Sequence, residues 1–185
     1  MKKSVFSIVL LFVFSLAFGQ KNNNYLEISL EKDIEGTDFV LGERYFDKKI
    51  DVSDDKILYF INATNGEMHE VNFGEKINVK VEQIKIDSLN INTLIAKTYL
   101  SNKLTRVKSS LYLLSTDGRE MQKIVDDDFC VKNFVLNKNT GNLVIKGFRD
   151  VNENGKIDKN DKEQILIYSL KHKKQISLIE QLPNR

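Results

Sequence analysis

The chain of 185 residues contains no tryptophan, one cysteine and two histidines. The single cysteine, Cys130, excludes an internal disulfide framework, so an exported fold of this size must be held by its hydrophobic core. In its apolar surroundings we interpret Cys130 as a small buried hydrophobe. Neither His69 nor His172 has the spacing of a paired metal ligand, and the sequence contains no nucleophile elbow, Walker loop or dinucleotide-binding fingerprint. The sequence therefore predicts no enzyme.

An excess of charge is also missing once the first residues are set aside. Lys2 and Lys3 precede an apolar run at residues 5–18, which is short for a membrane span and typical of a cleaved export signal at residues 1–19. Cleavage lowers the 28 basic side chains to 26, equal to the 26 acidic ones. A neutral mature chain gives no reason to expect nucleic acid or an anionic membrane as partner. We expect one domain at residues 20–185, secreted or periplasmic, with no membrane anchor after cleavage.

Short apolar segments bounded by Gly, Asn and Asp recur along the chain and are typical of β-strands. They repeat with a period of roughly fifty residues, which indicates a repeat architecture. We predict an all-β fold of three four-stranded antiparallel meanders, at about residues 24–73, 76–125 and 131–180, with little helix. The second strands align Tyr45, Tyr99 and Phe148, and the third strands align Ile57, Ser110 and Ile165. The predicted strands are residues 25–30, 39–46, 57–60 and 68–73, then 77–84, 93–100, 110–113 and 121–125, then 131–136, 142–149, 165–168 and 175–179.

Each meander resembles a β-propeller blade and is similar in organisation to WD-type and TolB-like blades, although the chain has no WD dipeptide. The dipeptides Asn65-Gly66 and Asp117-Gly118 predict type I′ hairpin turns, in which both central residues have positive φ. The resemblance implies a propeller-like stack. Closed propellers have about four to eight blades. An open stack of three blades, closure by dimerisation and a β-sandwich therefore all stay open as alternatives.

Residues 150–161, with the sequence DVNENGKIDKND, carry the strongest chemical signal of the chain. Oxygen-bearing side chains fall at loop positions 1, 3, 5, 9 and 12, and a glycine falls at position 6. This is the pattern of an EF-hand-type calcium loop, in which a glycine permits the sharp turn and oxygen ligands suit Ca²⁺. The predicted ligands are Asp150, Asn152, Asn154, the backbone carbonyl of Lys156, Asp158 and Asp161.

The loop falls between two predicted strands, so the flanking helices that make an EF-hand a sensor are missing. Over its twelve residues it resembles dockerin-like and thrombospondin-type calcium motifs, in which Asp also occurs at position 12 in place of Glu. With only three carboxylates, a dissociation constant of about 10⁻⁴ to 10⁻³ M is expected. Residues 49–54 repeat the second half of the loop and lack its first half, so we interpret them as an incomplete echo of the site.

The export signal and the Lys, Asn and Ile-rich composition together resemble small exported proteins of Bacteroidota-type bacteria that carry a single calcium loop. This resemblance covers mainly the last unit and implies no particular activity. We predict a non-enzymatic calcium-binding protein in which the ion braces a strand-to-strand loop of a binding or scaffolding module. A protein or glycan is the expected ligand, and assembly into a homo-oligomer stays open. The alternatives are an extracytoplasmic hydrolase and a surface adhesion protein.

Overall fold

A computed structural model of the chain describes residues 27–45, 57–74, 77–100, 109–152 and 158–180. The predicted export signal lies outside these residues. Within them, no helix is long and apolar enough to cross a bilayer. The described residues form a 3-10 turn (Asp87–Leu89) and the following strands: β1 (Glu27–Asp33), β2 (Phe39–Tyr45), β3 (Ile57–Asn62), β4 (Met68–Asn72), β5 (Ile77–Ile86), β6 (Ile91–Leu100), β7 (Ser109–Leu114), β8 (Met121–Lys123), β9 (Phe129–Asn137), β10 (Asn142–Arg149), β11 (Lys162–Ser169) and β12 (Lys174–Glu180).

The twelve strands form three four-stranded sheets, and within each sheet the strands pair in the order of the chain. All pairings are antiparallel. The first sheet contains β1 to β4, the second β5 to β8 and the third β9 to β12. This confirms the predicted all-β fold of three antiparallel meanders, and it fits a blade-like repeat.

The second sheet contributes to two core clusters, one on each face. Successive residues of a strand point to opposite faces, so neighbours in sequence belong to different clusters. Leu94 and Ala96 pack with Leu58 and Phe60 of the first sheet. Ile95, between them in sequence, belongs instead to a core shared with the third sheet. All of these side chains are no more than 1% exposed. Within the described residues, neither core cluster contains side chains of both the first and the third sheet. The sheets are therefore stacked in chain order, with the second in the middle.

Polar contacts at Glu35 fix the β1–β2 connection against the second sheet. The Glu35 amide donates to the side-chain oxygen of Gln83 at 2.9 Å, and its carbonyl accepts from the amide nitrogens of Gln83 at 2.9 Å and Asn92 at 3.0 Å. Lys85 Nζ lies 2.8 Å from the Glu35 carboxylate. These contacts are exposed to solvent, and they link the β1–β2 connection to β5 and β6.

The prediction of type I′ turns at Asn65-Gly66 and Asp117-Gly118 is wrong. Gly66 and Gly118 have φ of 75° and 72°, but among the described residues the non-glycine positions with positive φ are Asn90 and Lys173. The first turn is longer than two residues, because the Asn62 amide donates to the Glu67 carbonyl across four intervening residues. The side-chain oxygen of Asn62 also accepts from the amides of residues 64 and 65.

The predicted alignment of the third strands is shifted by one residue in the last unit. Leu41 pairs with Phe60 in the first sheet, and both belong to the core facing the second sheet. Their counterparts Ile95 and Leu113 face the third sheet. In the third sheet, however, Val144 pairs with Ile167 and Leu143 pairs with Tyr168. Ile167 and not Tyr168 therefore corresponds to Phe60, and a one-residue shift exchanges the two faces of the strand.

Gly118, in the β7–β8 turn, lies directly on the ring of Phe60 of the first sheet. A Cβ atom at this position would overlap three ring carbons. Phe60 is fully buried. The absence of a side chain at Gly118 is thus part of the packing between the first and second sheets, in addition to its positive φ.

Candidate metal site

The predicted calcium loop connects β10 to β11, as the sequence predicts. The two strands pair along their whole length, and the last pair of the ladder is Arg149 with Lys162. Asp150 and Asp161 follow directly on either side of this pair. The first and last residues of the loop are therefore held at the same end of the sheet by the hydrogen-bonded ladder.

The carboxylate of Asp161 joins the two halves of the loop. Its Oδ1 accepts a hydrogen bond from the Val151 amide at 3.2 Å, and its Oδ2 accepts one from the Asp158 amide at 2.5 Å. A carboxylate has about four lone-pair positions, so these two bonds leave acceptor capacity for a cation. Asp161 is half-buried. It therefore occupies the mouth of the loop, where position 12 of a calcium loop closes the coordination sphere.

Asp158 organises the second half of the loop. Its Oδ1 accepts from the Asn160 amide at 2.8 Å, and its carbonyl accepts from the Asp161 amide at 3.1 Å. These bonds form an Asx-type turn, which Asp favours because its short side chain can bond the backbone two residues ahead. The turn holds Asp158 close to Asp161, whose carboxylate in turn contacts the Val151 amide.

Four of the six predicted ligands lie in the described part of the chain, and Asn154 and Lys156 lie outside it. Asp150 is half-buried and Asn152 is exposed. Residues 150–152 and 158–161 supply side-chain carboxylate and amide oxygens as possible metal ligands. Ca²⁺ prefers oxygen ligands of this kind. Among the described residues, no group of three or more His, Cys, Asp or Glu side chains is placed to hold a metal ion. A loop of this type also uses Asn side chains and a backbone carbonyl, which such a group does not include. The incomplete echo at residues 49–54 lies outside the described residues.

An ion-pair cluster that the sequence does not reveal anchors the start of the loop. Arg149 Nη1 lies 2.6 Å from Asp128 Oδ2, its Nη2 lies 3.4 Å from Asp126 Oδ2, and its Nε donates to Gln164 Oε1 at 3.1 Å. The Asp150 amide donates to the Asp128 carbonyl at 2.8 Å. The acidic run at residues 126–128 thus binds the residue that precedes the loop. An arginine directly before the loop and an acidic run directly before β9 are the signals that could have indicated this pairing.

Two cavities among the described residues bear on the hydrolase alternative. The first, of about 650 Å³, lies between the β7–β8 and β11–β12 hairpins, and Glu120 is its one carboxylate. Glu120 is paired with Lys173 at 3.2 Å. The second, of about 170 Å³, contains Glu82 as its one carboxylate. Neither of these two cavities holds the pair of acids that glycoside hydrolysis requires.

Cys130 is less buried than its sequence context predicts. It is half-buried, and it pairs across β9 and β10 with Phe148. The fully buried neighbours are Phe129 and Val131, which point to the opposite face of the strand. The prediction of a buried small hydrophobe is therefore only partly met.

No protein-family model and no curated protein sequence matches the chain. Among solved structures the chain is similar to an acylaminoacyl peptidase from Pyrococcus horikoshii, with a TM-score of 0.43 and 9% sequence identity. The match covers 85% of this chain and 25% of the peptidase chain, so the protein spans about a quarter of that chain's length. A likeness at this level carries no inference about activity.

Proposed function

We propose that the protein is an exported, non-enzymatic calcium-binding module in which one Ca²⁺ braces the connection between β10 and β11. The proposal rests on the Asp161 carboxylate, which accepts backbone hydrogen bonds from Val151 and from Asp158 at the mouth of the loop. Calcium would bind to the oxygens of Asp150, Asn152, Asn154, Lys156, Asp158 and Asp161.

The location of the loop argues for a structural ion. Its two ends continue into paired strands of one sheet, so ion binding has no pair of helices to reorient. The ion pairs of Arg149 with Asp126 and Asp128 fix the first end of the loop. The Asx-type turn at Asp158 fixes the second end. A cation would draw the remaining oxygen donors together and reduce the freedom of residues between these two fixed ends. The result is a rigid loop at one end of the third sheet, which suits a binding or scaffolding role.

The expected affinity is that of extracellular calcium modules, with a dissociation constant of about 10⁻⁴ to 10⁻³ M. At a calcium concentration ten times the dissociation constant, binding stabilises the folded state by about 1.4 kcal/mol. For a chain of this size that corresponds to a rise in melting temperature of about 3–6 °C. Magnesium should give a smaller rise, because it keeps its water ligands and demands octahedral geometry.

The test is a thermal melt with excess chelator and with about 10 mM calcium. Asp150→Ala should abolish the calcium-induced rise in melting temperature. Asp87→Ala is the matched control, because Asp87 is an exposed carboxylate in the 3-10 turn between β5 and β6, and it should keep the full rise. A wild-type curve that is unchanged by calcium would sink the proposal. A full calcium-induced rise in Asp150→Ala would show that calcium binds elsewhere.

A second candidate, surface adhesion, is favoured by the apolar side chains at the sheet edges. In β12, an edge strand, Ile176 is 53% exposed, Ile179 48% and Leu178 37%. An edge strand with exposed apolar residues is a ready surface for strand addition by another chain. Retention of the protein on cells of the same source, lost on Ile176→Lys, would support this function. Retention that the substitution leaves unchanged would contradict it.

A further inference from the structure

The third sheet has one face packed on the second sheet and one face open to solvent. The apolar residues on its outer face include Val135, Val144, Ile165, Ile167 and Ile179, which the strand register places on the same side as the polar residues Asn133, Lys146, Glu163 and Ser177. Val135 is 64% exposed, Ile179 48% and Val144 37%. Ile165 and Ile167 are half-buried. An apolar sheet face of this kind is unusual on an isolated module and marks an interaction surface.

The repeat indicates what should cover this outer face. Leu41 and Phe60 hold the corresponding positions in the first sheet, and the second sheet covers them. In the second sheet the corresponding positions are those of Ile95 and Leu113, which the third sheet covers. Val144 and Ile167 continue the series, and among the described residues no further sheet covers them. In both cases within the chain, therefore, the partner of this face is a four-stranded sheet of the same protein.

We propose that the outer face of the third sheet binds the same face of a second copy of this chain. The charged residues that the register places on this face are Lys146 and Glu163, which form an ion pair, and Lys174, which pairs with Ser169 where β12 begins. Lys132 lies at its rim, with Nζ 5.7 Å from the ring centre of Phe148. In a two-fold contact each copy presents the same surface, so Lys146 of one copy can face Glu163 of the other.

The size of the face sets the expected strength. Its four strands have 9, 8, 8 and 7 residues. With about 3.4 Å per residue and about 4.8 Å between strands, the face measures roughly 500 Å² in plan. Two copies then bury on the order of 1,000 Å², at the lower end of specific interfaces. The dimer should accordingly dissociate in the micromolar range.

The test is sedimentation of the protein, produced from its full-length sequence, at concentrations from about 1 to 100 μM. Val135→Lys and Ile179→Lys place a charge on the outer face, and each should raise the dissociation constant of the dimer by about tenfold or more. Their matched controls are Leu30→Lys and Met68→Lys in the first sheet, whose side chains are 67% and 49% exposed. The controls should leave the dissociation constant within about twofold.

All four substituted side chains are exposed by about half or more, so the variants should fold, and circular dichroism checks this before sedimentation. A monomer throughout the concentration range overturns the proposal. A dimer that the two outer-face variants leave intact, or that all four variants weaken equally, also overturns it, because the interface must then lie elsewhere. Calcium and chelator are compared in parallel, since the proposal requires the same interface in both.

Discussion

Replacing Gly118 by alanine separates two effects that act on one residue. Alanine at a φ of +72° costs about 1 kcal/mol, because its Cβ is crowded in the left-handed region. The same Cβ would also overlap the ring of Phe60, which is fully buried. Such overpacking adds about 1–3 kcal/mol. Gly118→Ala should therefore lower the free energy of unfolding by about 2–4 kcal/mol.

Gly66 provides a control with nearly the same backbone and no neighbour. Its φ is +75°, and nothing lies within 4 Å of the position that a Cβ would take. Gly66→Ala should therefore cost only about 1 kcal/mol, the conformational part alone. The difference between the two variants measures the contact between the β7–β8 turn and the first sheet.

Phe60→Ala completes the experiment as a double-mutant cycle. This substitution removes the Cγ and ring carbons that the new Cβ would meet, so Gly118→Ala should cost only about 1 kcal/mol in that background. Urea denaturation at fixed calcium concentration is the assay, followed by circular dichroism since the chain has no tryptophan. With about 2 kcal/mol per molar urea, Gly118→Ala should lower the midpoint by about 1–2 M. Equal losses at Gly118 and Gly66, or no coupling to Phe60, would refute the reasoning.

Two further predictions concern charged side chains. Burial raises the pKa of Asp117, but hydrogen bonds from the Ser115 hydroxyl and the Arg119 amide outweigh it and hold the pKa below its ordinary value. Asp117 therefore adds stability above about pH 4, and this stability is lost as the pH falls through the depressed pKa. Wild type should be more stable than Asp117→Asn by at most about 1 kcal/mol at pH 7. Urea midpoints measured at pH 7 and at pH 3 should show that this advantage is smaller at pH 3. Arg149→Met should cost about 1–3 kcal/mol because it leaves half-buried Asp128 without its cation, whereas Arg119→Met, which breaks an ion pair exposed on both sides, should cost less than about 1 kcal/mol. Equal costs for the two arginines would contradict this assignment.

The strands and their grouping were predictable because most of them alternate or are bounded by turn residues. In β6, Leu94, Ile95 and Ala96 are all apolar, which is the pattern of a strand buried on both faces. A run of consecutive apolar residues also made it impossible to predict which residues of β11 face the core. Residues 165–168 are four consecutive apolar side chains, so their sequence does not indicate which face is which, and the pairing of Leu143 with Tyr168 decides it.

The turns and the anchoring cluster show two kinds of limit. A dipeptide such as Asn65-Gly66 predicts a turn but not its length, and here the side chain of Asn62 stabilises a longer one. Arg149 and Asp128 are 21 residues apart and meet only because β9 and β10 pair. The loop could be proposed from the sequence because its predicted ligands follow one another along the chain. Contacts that depend on strand pairing could not be derived without the pairing.

The stacking of three sheets in chain order makes the molecule open-ended. Within the described residues each core cluster joins only adjacent sheets, so a further meander added after the third would leave both existing cores unchanged. Val144 and Ile167 are already apolar, as the residues that such an added sheet would cover need to be. Duplication of a unit could thus lengthen the protein without changes in the existing cores. The same arrangement leaves apolar side chains exposed on the outer face of the third sheet.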